Sequence, residues 1–87
     1  MAEYKLLLKA SAAKEIEAVD SKSERRRIVE KIATLSADPR PHGCEKLAGY
    51  DDRYRLRRGN YRIVYMVDDA RRELTVFRVG HRKDVYR

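Results

Sequence analysis

With a single cysteine, Cys44, the chain has no partner for an intrachain disulfide, so its 87 residues must be held by packing alone. A lone cysteine fits a reducing compartment, and its ordinary role is an inert thiol rather than a nucleophile. Histidine is nearly as scarce: His42 and His81 stand far apart, and no spaced Cys/His cluster exists. No metal site, zinc in particular, and no cofactor is expected. Long apolar runs are missing too. Leu6-Leu7-Leu8 is flanked by Lys5 and Lys9 and falls far short of the roughly 20 residues that cross a bilayer. Neither a signal peptide nor a membrane contact is expected, and the chain reads as soluble and cytoplasmic. Repeats, low-complexity segments and internal boundaries are absent, so residues 1–87 read as one domain.

What the sequence has in excess is positive charge. Lys and Arg number 21 against 14 Asp and Glu, a net charge of +7 with a pI near 9.8. Residues 1–44 carry nine basic and seven acidic groups; residues 45–87 carry twelve and seven, and ten of those twelve are arginine. Arginine keeps its charge at any working pH, and its planar fork matches phosphate bidentately. This bias points to a polyanionic partner, nucleic acid above all.

Tyr4 to Lys9 alternates loosely and has the length of a strand, with Tyr4, Leu6 and Leu8 on one face. Ser11 is placed to cap a helix over Ala12 to Val19, with Ala13, Ile16 and Val19 as its apolar stripe. Asp20-Ser21 and Ser23 interrupt it. From Glu24 to about Ala37, Ile28, Ile32 and Leu35 recur at helical spacing, widened by Val29 and Ala33. Two helices joined this tightly form a hairpin. Asp38 to Gly43, with Pro39 and Pro41, cannot continue a helix.

Beyond the Gly49-Tyr50-Asp51-Asp52 turn, three segments alternate as strands: Tyr54 to Arg58, Tyr61 to Val67 and Glu73 to Val79. Gly59-Asn60 and the Asp68 to Arg72 segment turn between them, Gly80 marks the exit, and His81 to Arg87 is a polar tail. The expected fold is α+β: an N-terminal strand, a two-helix hairpin, then a three-stranded antiparallel meander, with the helices packed on one face of a single twisted sheet. The other face is left free. Alternation puts Arg55 and Arg57 on one side of their strand, and a tight turn makes Arg62 their cross-strand neighbour. Adjacent like charges on a sheet repel, so such a row has little use without a polyanionic ligand.

Leu47-Ala48-Gly49, the run from Tyr54 to Tyr65, and the closing Val79-Gly80-His81-Arg82-Lys83-Asp84-Val85-Tyr86 resemble the RelE branch of the RelE/ParE toxin superfamily across essentially the whole chain. The resemblance implies a RelE-like fold and a toxin of a type II toxin–antitoxin system. The implied activity is that of a metal-independent endoribonuclease, an mRNA interferase that cuts mRNA in the ribosomal A site and so inhibits translation. A ribose 2′-OH would attack its adjacent phosphate.

By position, Arg62 would stabilise the phosphate, Arg82 would serve the leaving group, and Tyr86 would orient the nucleotide. Arg55 and Arg57 fall where the resemblance leads one to expect lysines; with Arg58 and Lys83 they would bind RNA. An arginine cannot act as general base, so that role moves to Tyr86 or to His81. The implied partners are a cognate RelB-like antitoxin, the ribosome with its mRNA, and promoter DNA only through the antitoxin complex. Two other readings share these residues: a ParE-like DNA gyrase inhibitor and a non-catalytic nucleic-acid-binding module.

Overall fold

The three alternating segments of the C-terminal half do pair into a meander, and everything else is arranged around it. The computed structural model describes residues 3–81. In chain order the elements are β1 (Lys5–Leu8), α1 (Ala10–Glu17), α2 (Lys22–Thr34), β2 (Glu45–Lys46), β3 (Arg53–Arg58), β4 (Tyr61–Asp68) and β5 (Glu73–His81). They form one sheet in the order β1-β5-β4-β3-β2. β1 runs parallel to β5, and every other neighbouring pair is antiparallel. The fold is α+β, with both helices on one face.

Period-two alternation sorts the residues as the sequence led one to expect. Tyr54 and Leu56 of β3, Ile63, Tyr65 and Val67 of β4, and Leu74, Val76 and Val79 of β5 meet Ile16 of α1 and Ile28 and Ile32 of α2, with Leu35 just beyond, in one buried cluster. Fully burying a side chain of this size contributes about 1.5–3 kcal/mol. Ala12, not Ala13, supplies the small contact from α1, and Val29 and Leu8 stay about half exposed. The apolar stripe is therefore narrower than the sequence suggested.

Several boundaries differ from the sequence reading, each for a local reason. Ser11 is not a cap: α1 starts two residues earlier, at Ala10, and its N-cap, Lys9, makes no side-chain cap bond. The Ser11 hydroxyl donates instead to the Phe77 carbonyl at 3.2 Å. The cap of α2 is Ser21, whose oxygen accepts from the Glu24 amide at 3.2 Å, so that helix begins before Glu24 and ends at Thr34. β5 runs through Gly80 to His81, because Gly80 still pairs with Arg62 and His81 with Tyr61. β2 is an addition that no periodicity announces.

β5 also contains a bulge. Tyr65 pairs with Val76 but Val64 with Arg78, leaving Phe77 unopposed. The extra residue spaces the buried positions Leu74, Val76 and Val79 by two and then three, and it turns Phe77 and Arg78 along the same side of the sheet.

β1 covers only residues 73–76 of β5, so the rest of that edge needs another cover. Helix α1 provides it. The Glu15 carboxylate accepts from the Val79 amide at 2.7 Å and from Arg78 Nε at 3.1 Å, while the Lys9 amide donates to the Val76 carbonyl at 2.9 Å. Removing the Glu15 carboxylate leaves the amide of a buried residue without its acceptor. Glu15→Ala is expected to cost about 1–3 kcal/mol in urea unfolding. Glu15→Gln should cost less, since its carbonyl can still accept from Val79 and the half-exposed pair with Arg78 adds little. Equal losses for the two variants would contradict this edge cover.

Candidate functional site

The loop after α2 is fixed to the sheet by tyrosines. Tyr65, fully buried, donates its hydroxyl to the Pro39 carbonyl at 2.7 Å, and burial pushes its phenol well above the ordinary tyrosine range. Tyr54 stacks on Tyr65 with ring centroids 5.8 Å apart and accepts from Arg40 Nε at 2.9 Å. Arg40 also pairs with Asp69 at 2.7 Å, and Asp69 accepts a further bond from the Tyr4 hydroxyl. Those bonds, Arg40's first, hold the Asp69 carboxyl below its ordinary range, and the bond to Asp69 raises the Tyr4 phenol. The Pro39-Arg40 corner is therefore anchored at two points, and the chain beyond it is laid against the outer edge of β3.

There β2 pairs with β3, placing Glu45 across from Arg55 and Lys46 across from Tyr54. Beyond it lies a groove of about 380 Å³ lined by Lys31 of α2, His42 and Gly43 of the loop, Glu45, and Arg55, Leu56, Arg57 and Arg62. Arg57 and Arg62 are directly opposed across the β3–β4 ladder. Arg57 is exposed, whereas Arg62 is 6% exposed and is the buried charged side chain of the described residues. The β3–β4 turn that sets this register has Gly59 at φ 60°, the conformation that a first turn position of type II′ demands.

Glu45 accepts from Arg55 Nη2 at 2.9 Å and Nε at 3.3 Å. The hydrogen bond and charge of Arg55, with smaller contributions from Arg57 and Arg62, hold the Glu45 carboxyl below the ordinary glutamate range. It is an ionised counter-charge inside the arginine cluster. The arrangement offers several fixed guanidinium groups to an anion, with one carboxylate already occupying part of their field.

Of the sequence-derived candidates, Arg55, Arg57 and Arg62 come together in this groove. Arg58 does not. It follows the parity of Leu56, pairs with Tyr61, and lines a shallow depression with Arg27, Glu30, Lys31 and Thr34 against α2. His81 also lies away from Arg62: its ring meets Tyr61 edge-on at 5.7 Å, beside Glu15, Ala18 and Val19. Arg82, Lys83 and Tyr86 lie outside the described residues.

Sequence reasoning missed His42 and Glu45, which a loop and an unannounced two-residue strand deliver to the groove. It also missed Arg53, which opens β3 and extends the row of Arg55 and Arg57 by one step. The signal for Arg53 was available in the alternation, obscured by the Asp51-Asp52 turn just before it.

No three His, Cys, Asp or Glu side chains converge as a metal cluster among the described residues, and no helix there is long and apolar enough to cross a membrane. A separate cleft of about 230 Å³ between β1 and the helices is lined by Leu6, Leu7, Leu8, Ile16, Val29, Ile32 and Ala33. It presents no group capable of chemistry, so the arginine groove is the candidate site.

The ParE toxin family of type II toxin–antitoxin systems (parDE) matches residues 6–86. The RelE–RelB complex of Pyrococcus horikoshii OT3 contains a chain similar at TM-score 0.82 and 26% identity, covering 98% of this chain and 100% of that one. The intact RelBE toxin–antitoxin complex of E. coli gives 0.75 and 31%, over 90% and 95%. Toxin RelG of Mycobacterium tuberculosis is 44% identical over 34 residues, which span only 39% of either chain. The match over nearly the full length, with the shared sheet and helices, assigns the chain to the RelE/ParE superfamily as a toxin of type II toxin–antitoxin systems.

Proposed function

We propose that the protein is a metal-independent endoribonuclease that cuts mRNA in the ribosomal A site by attack of a ribose 2′-OH on the adjacent phosphate. The observation that carries this reading is the convergence of Arg55, Arg57 and Arg62 in one groove. Charge develops on the phosphate in the transition state, and pre-positioned cations stabilise it without reorganising. Arg62, buried and directly opposite Arg57, is suited to hold the reacting phosphate. Arg55 and Arg57 bind the flanking RNA backbone, a role that Lys83, and Arg58 from its depression against α2, would share.

The remaining roles rest on Arg82 for the leaving 5′-oxygen and Tyr86 for the base. The contact of His81 with Tyr61, away from Arg62, favours Tyr86 over His81 as that base. Glu45 is a weak candidate for proton abstraction, because the arginines around it lower its basicity.

The partner in this reading is a cognate RelB-like antitoxin. The similar chains of P. horikoshii and E. coli come from complexes with RelB, and an acidic or amphipathic segment complements this basic surface. The pair would bind promoter DNA through the antitoxin, and the toxin would act in the cytoplasm on ribosomes and mRNA.

A second reading, a DNA gyrase inhibitor, draws its support from the ParE description of the matching family. A gyrase poison has no need of the arginine groove, which is why cleavage is preferred. A non-catalytic nucleic-acid-binding module stands behind both.

Purified protein mixed with ribosomes carrying a defined mRNA and an empty A site is expected to cut inside the A-site codon. Primer extension should find the cut only when ribosomes are present, and EDTA added after assembly should not reduce it. Arg62→Ala, with its fold verified by circular dichroism, should lose about a hundredfold or more in rate. No cleavage by the parent protein, with gyrase inhibited instead, would overturn the reading.

Glu45→Gln removes the counter-charge on Arg55. Binding to a short single-stranded RNA should then tighten, and the log–log salt slope should steepen by up to about 0.7, the value of one added phosphate contact. Fluorescence anisotropy across a salt series checks this. An unchanged slope would mean that Arg55 does not reach the RNA.

A further inference from the structure

Beside the groove, on the same open face and sharing Arg55 with it, lies a second pocket of about 190 Å³ lined by Leu47, Tyr50, Arg53, Val64, Phe77 and Arg78. Its centre is Arg53. The guanidinium carbon sits 4.5 Å from the Tyr50 ring centroid and 5.0 Å from that of Phe77. Two cation–π contacts hold one side chain rigidly. Yet the Arg53 Nε is buried and donates to no acceptor among the described residues. An unmet buried donor costs free energy unless a ligand meets it. Arg78 is already engaged by Glu15 and the shared Arg55 by Glu45, so Arg53 is the cation that this pocket offers without a carboxylate partner among the described residues.

The aromatic contribution is equally specific. Phe77 reaches this face only because the β5 bulge leaves it unopposed. Tyr50 is 49% exposed, which leaves much of its ring open. An arginine between rings, one of them open, is the combination that binds single-stranded nucleic acid: the cation takes the phosphate and the ring takes a base. An acidic peptide would use the arginine but has no use for the open ring.

Spacing agrees. Residues two apart on a strand are about 6.6 Å apart, so Arg53 lies about 13 Å from Arg57, some two nucleotide steps along an extended strand.

We propose that Tyr50, Arg53 and Phe77 form a second nucleotide subsite, which stacks a base and holds a phosphate about two nucleotides from the one at Arg57 and Arg62. The proposal rests on the reading of the groove as an RNA site and extends it to how a longer strand is held.

The test uses uncleavable 2′-O-methyl RNA tetranucleotides carrying 2-aminopurine at one end or the other, compared with the dinucleotide, at low salt. The parent protein is expected to quench one of the two probes and to bind the tetranucleotide more tightly than the dinucleotide. Tyr50→Ala should abolish the quench and weaken tetranucleotide binding by about tenfold, the size of one base stack, leaving the dinucleotide unaffected. Tyr50→Phe should behave as the parent, and Phe77→Leu should show a partial loss.

Equal affinity for both lengths, or no quench at either end, overturns the subsite. So does a dependence on Tyr50 seen only with a glutamate-rich peptide, which would make the pocket a protein-docking face. Cleavage of ribosome-bound mRNA is measured on the same preparation. Cleavage without the stack removes the subsite alone, and the stack without cleavage supports the subsite while removing the nuclease reading.

Discussion

Arg57 and Arg62 face each other across two antiparallel strands, where directly opposed side chains have Cβ atoms only about 5 Å apart. Two like charges at that separation oppose the pairing that brings them together. The pairing survives because the opposite face of the same strands is committed: Leu56 and Ile63, the residues next to them in register, are buried against the helices. A slip of one residue would turn that core outward and bring the arginines against the helices. The apolar face therefore fixes the charged one, and the cluster is a consequence of where Tyr54, Leu56, Ile63 and Tyr65 must go.

Burial strengthens the point. A charge held at 6% exposure loses much of its hydration, and proteins retain such groups when other interactions compensate. Glu45 offsets part of the field by its bonds to Arg55. It reaches that position through a short chain of causes: Tyr65 and Tyr54 anchor the Pro39-Arg40 corner, the corner directs the loop, and the loop ends in β2. Core tyrosines with polar tips thus connect the packing of the interior to the electrostatics of the groove.

The parts of this arrangement that a period carries could be read from the sequence. Alternation in β3 and β4 gave the arginine face, and helical spacing of Ile28, Ile32 and Leu35 gave the face of α2. What escaped had no period. β2 is two residues long and exists only because β3 is there to pair with it. The bulge at Phe77 is a matter of register between two strands, invisible in either alone. Ser11 looked like a cap because capping depends on local sequence, but the free edge of β5 claimed its hydroxyl. Arg58 and His81 fell on the helix side by parity, a consequence that the quoted motifs did not convey. Arg53 lay within reach of the same alternation that gave Arg55 and Arg57, whereas Tyr50, in the turn before β3, has no period to announce it.

In the proposed function the open-face arginines, rather than basic surface in general, receive the phosphates of RNA. α2 provides the natural competitor, since Arg25, Arg26 and Arg27 form an equally dense basic run. The most direct measurement is NMR of the arginine side-chain Nε–Hε groups during titration with an uncleavable 2′-O-methyl RNA oligonucleotide. Saturable shifts are expected at Arg55, Arg57 and Arg62, with Arg25, Arg26 and Arg27 unmoved. Shifts confined to the α2 arginines, or spread evenly over both sets, would contradict that claim.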